Sequence, residues 1–167
     1  METLDAIKTR RSVRNYTDET LDINILQDIV TCGLYAPSAH NQQAWKYYII
    51  SNKQDHEFLG NVMEFWKMLP SAWWVILACF DKNLLRSEEF IQQDMWASIQ
   101  NILLAAHEKW VWTVRLWLYP HEEPMNKISQ HFELPENIVP FAIISMWIQE
   151  WEVPEKNLKS EWKIEIL

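Results

Sequence analysis

The sequence predicts an α+β fold class: a mixed sheet with helices packed over it. Three observations lead there. Patterned segments follow one another as helix, helix, strand, helix, strand, long helix, strand, helix, strand. The run 73–80 is continuously apolar over strand length, which marks a strand covered on both faces, and 138–148 reads as another buried strand. Residues 87–109 repeat apolar side chains at intervals of three and four. A helix of that length spans roughly 33 Å and can act as the spine of a domain or of a dimer.

Taken in order, residues 3–9 form a short helix with Leu4 and Ile7 on one face. Residues 22–35 form a stronger one, with Asp22 as N-cap and Ile25, Leu26, Ile29 and Val30 as its apolar stripe. Pro37 disfavours helical geometry at Ala36 and so helps to end it. Residues 38–43 are a polar loop, and the aromatic and β-branched stretch 45–50 is a strand. Residues 54–69 read as a helix that buries Phe58, Leu59, Val62, Met63 and Phe65. The apolar strand 73–80 follows. The long helix, capped near Ser87, buries Ile91, Met95, Ile99, Ile102, Leu103 and Ala106. A strand at 111–119, a helix at 122–132 and a strand at 138–148 complete the pattern, and Pro140 fits only near the last strand's start or on an edge. No linker or repeat divides the chain, so residues 1–167 are expected to form one domain.

The composition narrows the function classes. A net charge of −8 argues against a general nucleic-acid or membrane-surface binder. No apolar run reaches bilayer-spanning length, and the N-terminus lacks a signal-peptide apolar core, so a soluble cytoplasmic protein without membrane contact is expected. Cys32 and Cys79 lie far apart in apolar surroundings and read as reduced core residues. The five histidines have no metal-helix spacing, and there is no CxxC motif; no metal is expected, and His107 reads as a packing residue. A nucleophile elbow, a P-loop and a G-x-G-x-x-G motif are all missing from the sequence. No side chain stands out as catalytic, so if the chain is an enzyme, a cofactor carries the chemistry.

Against this acidic background, three of the five arginines fall within Arg10-Arg11-Ser12-Val13-Arg14. Planar guanidinium forks and a serine hydroxyl suit a phosphate. The same residues also suit a solvated basic turn, or arginines paired with the chain's own carboxylates.

Two stretches carry a family resemblance. Ala6-Ile7, then Arg10-Arg11-Ser12-Val13-Arg14-Asn15-Tyr16, resembles the opening motif of the FMN-dependent nitroreductase family. Ala36-Pro37-Ser38-Ala39-His40-Asn41-Gln42-Gln43-Ala44-Trp45 resembles its second motif, with Ala44 where proline is usual. Thr113 to Pro120 and Leu134 to Ala142 are similar to later segments of the family, so the resemblance covers nearly the whole chain. It implies a nitroreductase-like fold, with a mixed, mainly antiparallel sheet flanked by helices, in an intertwined homodimer holding FMN at the subunit interface. It implies that Arg10, Arg11, Ser12 and Arg14 hold the phosphate and ribityl chain, with Lys159 completing the phosphate grip. It further implies that Pro37, Ser38, Ala39 and Asn41 reach the same flavin from the partner, with Leu116 and Trp117 near the ring. NADH or NADPH would donate the hydride. A nitroaromatic, quinone or similar small-molecule electron acceptor would then take it in the second of two half-reactions.

The chain departs from the family at its tryptophans. There are eleven, against two glycines, where average usage would give about twelve glycines. Tryptophan stands where the family usually has glycine at positions 96, 110, 112, 117 and 147, and positions 66 and 151 belong with them; Trp45 and Trp162 fit as tryptophan. Trp110 follows the long helix, where a left-handed residue is common and a side chain costs roughly 1–2 kcal/mol. Trp151 occupies a turn with no turn-forming residue. Trp117 brings an indole to a place where the resemblance implies close backbone approach to the flavin. A gene whose UGA codons are read as glycine, translated with UGA as tryptophan, gives this pattern. A divergent or engineered chain whose indoles fill the cofactor pocket gives it too. Two functions are therefore expected: the flavoenzyme, or a non-catalytic dimer of the same fold with its flavin site blocked by tryptophans.

Overall fold

A computed structural model describes residues 1–14, 21–148 and 165. Five helices and four strands run in the order α1 (Thr3–Thr9), α2 (Ile23–Gly33), β1 (Trp45–Ile50), α3 (Lys53–Val62), β2 (Trp74–Asp81), α4 (Ile91–Glu108), β3 (Val111–Trp117), α5 (Glu122–His131) and β4 (Ile138–Ile148). The strands form one sheet in the order β1-β2-β4-β3, and every neighbouring pair is antiparallel. The parallel component is an isolated bridge between Ser12 and Thr113, which lays the arginine segment along the outer edge of β3. Pro140 lies near the start of β4, where the β2–β4 register shifts, so its missing N–H falls at an irregularity rather than in mid-ladder.

The apolar runs explain the layers. β2 and β4 lie inside the sheet and are buried on both faces, as continuous apolar sequence requires. One face packs on Leu26, Ile29 and Val30 of α2 and on Met95, Ile99, Ile102 and Ala106 of α4. The other packs on Leu59 of α3, Trp66, Leu69 and Ile128 of α5. All six predicted core residues of the long helix are buried. Asp22 caps α2, its carboxylate accepting from the Asn24 backbone N–H at 2.7 Å.

The contact between α2 and α4 depends on Gly33. A Cβ there would sit 2.7 Å from Ile102 Cγ1, so only glycine lets the helices approach this closely. The Ser98 hydroxyl uses the same opening to donate to the Gly33 carbonyl at 2.6 Å. Ser98 Oγ in turn lies 2.6 Å from the Tyr47 hydroxyl. With its proton committed to Gly33, Ser98 accepts from Tyr47, and the chain of bonds ties β1, α4 and α2 together.

Several local expectations are corrected. Helix α3 ends at Val62 instead of running to residue 69, because Met63 turns to extended geometry. A tight turn at Glu64–Trp66 then buries Trp66 and leaves Phe65 77% exposed. Helix α4 starts at Ile91, after a separate short turn at Glu88–Phe90, not at Ser87. Strand β3 ends at Trp117, two residues early. Ile25 on α2, and Leu4 and Ile7 on α1, face outward, while Ala6 is the inward residue of α1. Periodicity marks an apolar face but does not say whether this chain covers it.

The tryptophans divide by environment. Trp112 and Trp147 face each other across β3 and β4 and are fully buried, as is Trp66. Trp110 has φ = 59°, the left-handed conformation expected just beyond the α4 C-terminus. Trp117 is 59% exposed. Trp151, Trp162 and Lys159 lie outside the described residues. Among the described residues, no helix is long and apolar enough to cross a membrane.

Candidate cofactor site

The arginine segment starts where α1 stops. Arg11 Nη1 donates to the carbonyls of Lys8 (3.0 Å), Thr9 (2.8 Å) and Arg10 (3.0 Å), closing the C-terminus of α1 with positive charge. Thr9 Oγ1 lies 2.8 Å from Nε2 of the buried His107 on α4, which fixes the end of α1 against that helix. His107 is thus a packing residue, as expected. The chain then extends, and the Val13 N–H donates to the Thr113 carbonyl at 3.2 Å. Ser12 and Arg14 remain exposed on this edge.

Arg10 is half-buried. Burial, then the positive charges of Arg115 and Arg11, hold its guanidinium below the ordinary arginine range. Arg115 sits on β3, its guanidinium carbon 4.6 Å from the centroid of the Trp96 ring. Trp96, on α4, also packs on Trp117, with centroids 5.6 Å apart, and on Phe141 at 4.9 Å. Leu116, between Arg115 and Trp117, points to the opposite face of the sheet and is buried there. Its side chain is core, so only its backbone can serve this edge.

The second motif forms a loop held by a buried acid. The Asp94 carboxylate on α4 accepts from the Ala39 backbone N–H (2.9 Å) and from Gln42 Nε2 (2.5 Å). Gln42 Oε1 accepts from the backbone N–H groups of Arg86 (3.0 Å) and Ser87 (3.1 Å). Ser38 Oγ accepts from the Gln43 N–H at 3.1 Å. Inside this frame His40, Asn41 and Gln43 all adopt left-handed φ of 45–51°. Such backbone is strained outside glycine and persists where surrounding bonds over-determine it. Pro37 and Asn41 are exposed, and Ser38 and Ala39 half-buried.

The predicted residues therefore form two groups. Arg10, Arg11, Ser12 and Trp117 gather along β3, and Pro37, Ser38, Ala39 and Asn41 gather at the start of α4. Helix α4 joins them, since Asp94 holds the loop and Trp96, two residues on, meets Trp117. Three residues in this arrangement escaped the sequence reading. Arg115 was legible as a charge inside an otherwise uncharged strand. Asp94 was legible as an acid on the buried stripe of α4, three residues from Ile91. Gln42 carried no signal of its own.

A phosphate fits the β3 edge. The Ser12 hydroxyl is exposed beside Arg10, and no described carboxylate forms an ion pair with Arg10. At the far end, Trp96 and Trp117 occupy the space between α4 and the tip of β3. Among the described residues, no cluster of His, Cys, Asp and Glu is arranged to hold a metal.

Comparison with known proteins identifies the family and the fold. Residues 7–70 match the model of the nitroreductase family. A Methanothermobacter thermautotrophicus protein, provisionally named an NADH dehydrogenase/NAD(P)H nitroreductase, is 33% identical over 87% of this chain and 76% of its own. A crystal structure from Clostridium acetobutylicum, provisionally named an NADH oxidase, superposes with a TM-score of 0.90 at 29% identity, covering 97% of this chain and 98% of that one. A provisionally named nitroreductase from Desulfovibrio desulfuricans, solved in complex with FMN, superposes with a TM-score of 0.82 at 26% identity, covering 95% and 92%.

Proposed function

Since this chain belongs to the nitroreductase family, we propose that it is an FMN-dependent NAD(P)H oxidoreductase. Its acceptors are nitroaromatics, quinones or similar electron-poor compounds, reduced in two half-reactions. The observation that carries this reading is the docking of the arginine segment on β3. The Ser12–Thr113 bridge holds Arg10 half-buried with no described carboxylate in an ion pair with it. A phosphate would supply the missing negative charge.

Bound FMN would supply the hydride-accepting and hydride-donating centre. The chain's own residues bind and orient. Arg10, Ser12 and Arg14 hold the phosphate and ribityl chain, Arg11 caps α1 beside them and contributes its positive charge, and Lys159 completes the grip. Pro37, Ser38, Ala39 and Asn41 serve the partner subunit's flavin, in a loop that Asp94 keeps rigid. The backbone at Leu116 and Trp117 flanks the ring. Outward-facing Leu4, Ile7, Ile25, Leu34 and Tyr35 support a homodimer, since the described chain leaves these apolar side chains uncovered. We further propose that residues 1–167 form one domain and that the protein works in the cytoplasm.

One observation favours a second reading. Trp96 and Trp117 pack on each other at the ring end of the site, which suits a non-catalytic dimer that excludes the flavin. Protein made from the authentic coding sequence separates the two. A yellow protein whose flavin absorbance bleaches on adding NADH or NADPH is the flavoenzyme. A colourless protein that FMN cannot reconstitute is the blocked form.

A further inference from the structure

Strand β3 reads Val-Trp-Thr-Val-Arg-Leu-Trp, and Arg115 is its single charge. Alternation sends Trp112, Val114 and Leu116 into the core on the α3/α5 side. Thr113, Arg115 and Trp117 therefore share the opposite face, toward α4. The arginine segment docks at Thr113, through the Ser12 bridge and the Val13 N–H. Arg115 is the next residue along that face, so it projects beside the segment.

Arg115 is also half-buried, and no described carboxylate forms an ion pair with it. The chain has 23 acidic residues, yet the charges bearing on Arg10 here are those of other arginines. Guanidiniums gathered out of water repel one another, and an anion with several acceptor oxygens relieves that repulsion. The Arg115 guanidinium carbon lies 4.6 Å from the Trp96 ring centroid, and no hydrogen bond among the described residues uses its N–H donors, so they remain available for a bidentate contact.

We propose that Arg115 is a further cofactor-binding residue, gripping the same phosphate as Arg10 from the β3 side. This rests on the FMN reading above. It adds a strand residue to a grip otherwise built from the segment after α1. Arg115 stands between Trp96 and the docked arginine segment, so a phosphate contact from it would distinguish FMN from riboflavin.

The test compares the full-length wild-type chain with Arg115→Ala, Arg115→Gln and Arg115→Lys, titrated with FMN and with riboflavin by flavin fluorescence. Thermal unfolding of each apoprotein checks the fold. Loss of a charge-assisted contact should weaken FMN binding by roughly ten- to a hundredfold in Arg115→Ala and Arg115→Gln. Riboflavin affinity should be unchanged, and Arg115→Lys should recover part of the loss. The difference should persist in a Trp96→Gly background, because the strand places Arg115 without the indole. Unchanged FMN affinity, or equal losses for FMN and riboflavin, would overturn the proposal. If Arg115→Ala does not fold, Arg115→Gln gives the reading. If the wild-type chain takes neither flavin, the FMN reading fails, and pyrophosphate decides the role of Arg115. Thermal stabilisation by pyrophosphate in wild type but not in Arg115→Gln would keep Arg115 as an anion-binding residue. Equal response, or none in either, would overturn it.

Discussion

Trp96 on α4 and Trp117 at the tip of β3 meet with ring centroids 5.6 Å apart and planes tilted by 41°. The contact joins the helix that carries the Asp94-anchored loop to the strand that carries the arginine segment. On the FMN reading proposed above, the two indoles would close the ring end of the site. The double variant Trp96→Gly/Trp117→Gly should bind FMN at least about tenfold more tightly than the unaltered chain. A fluorescence titration reads this directly, and equal affinities would mean the indoles are not in the way.

Trp110→Gly should stabilise the protein by about 1 kcal/mol. Its φ of 59° is a conformation glycine adopts without the side-chain penalty. The indole is 43% exposed, so its removal sacrifices little burial. A higher urea midpoint at constant slope is the expected result. The codons offer a separate check: UGG at positions 96, 110, 112 and 117 would rule out a misread glycine codon.

Arg10→Ala and Arg14→Ala should each weaken FMN binding by about 1.5–3 kcal/mol, the range for a hydrogen bond to a charged partner. Isothermal titration in dilute salt measures it. A variant with wild-type affinity would take that residue out of the phosphate grip.

Asp94→Ala should loosen the loop without touching the arginine segment. It leaves the Ala39 N–H and Gln42 Nε2 without their acceptor, at a cost of roughly 2–4 kcal/mol for two orphaned donors, one of them fully buried. Lower stability together with faster amide exchange at residues 38–43 is the expected signature. Unaltered exchange there would show that the loop holds its strained backbone without Asp94.

Stability should fall on the alkaline side. Burial, the largest cause, pushes the Tyr47 hydroxyl up from 10.0 to about 12. The folded state then holds that proton over a range where the unfolded chain has lost it. Tyr47 contributes fully below pH 10, and its contribution disappears as pH rises from 10 to about 12, a loss of roughly 2–3 kcal/mol. The buried Cys79 thiol, also pushed up by burial, adds to the same fall. Denaturation curves between pH 9 and 12 should show a shallower decline for Tyr47→Phe than for wild type, and parallel curves would contradict it.

The sequence by itself determined the type and order of the five α-helices and four strands of the described chain, though not all of their ends, because apolar periodicity is a local property of order along the chain. Through a family resemblance it also marked the arginine segment and the Pro37–Asn41 loop as candidate parts of one cofactor site. It located the Trp110 anomaly from the helix end alone, since a left-handed residue after a helix is a requirement of the local backbone. Tertiary structure decided the rest. Whether Leu4, Ile7 and Ile25 are covered depends on what packs against them, and the end of α3 depends on where Trp66 can be buried. Arg11 turned back to cap α1, a use of its charge that appears only once the helix end is placed. The grouping of Arg10 with Arg115 joins residues more than one hundred positions apart in sequence. The bridge between Ser12 and Thr113 lays the arginine segment along the strand that carries Arg115, and pairing of that kind is set by the folded sheet rather than by either segment.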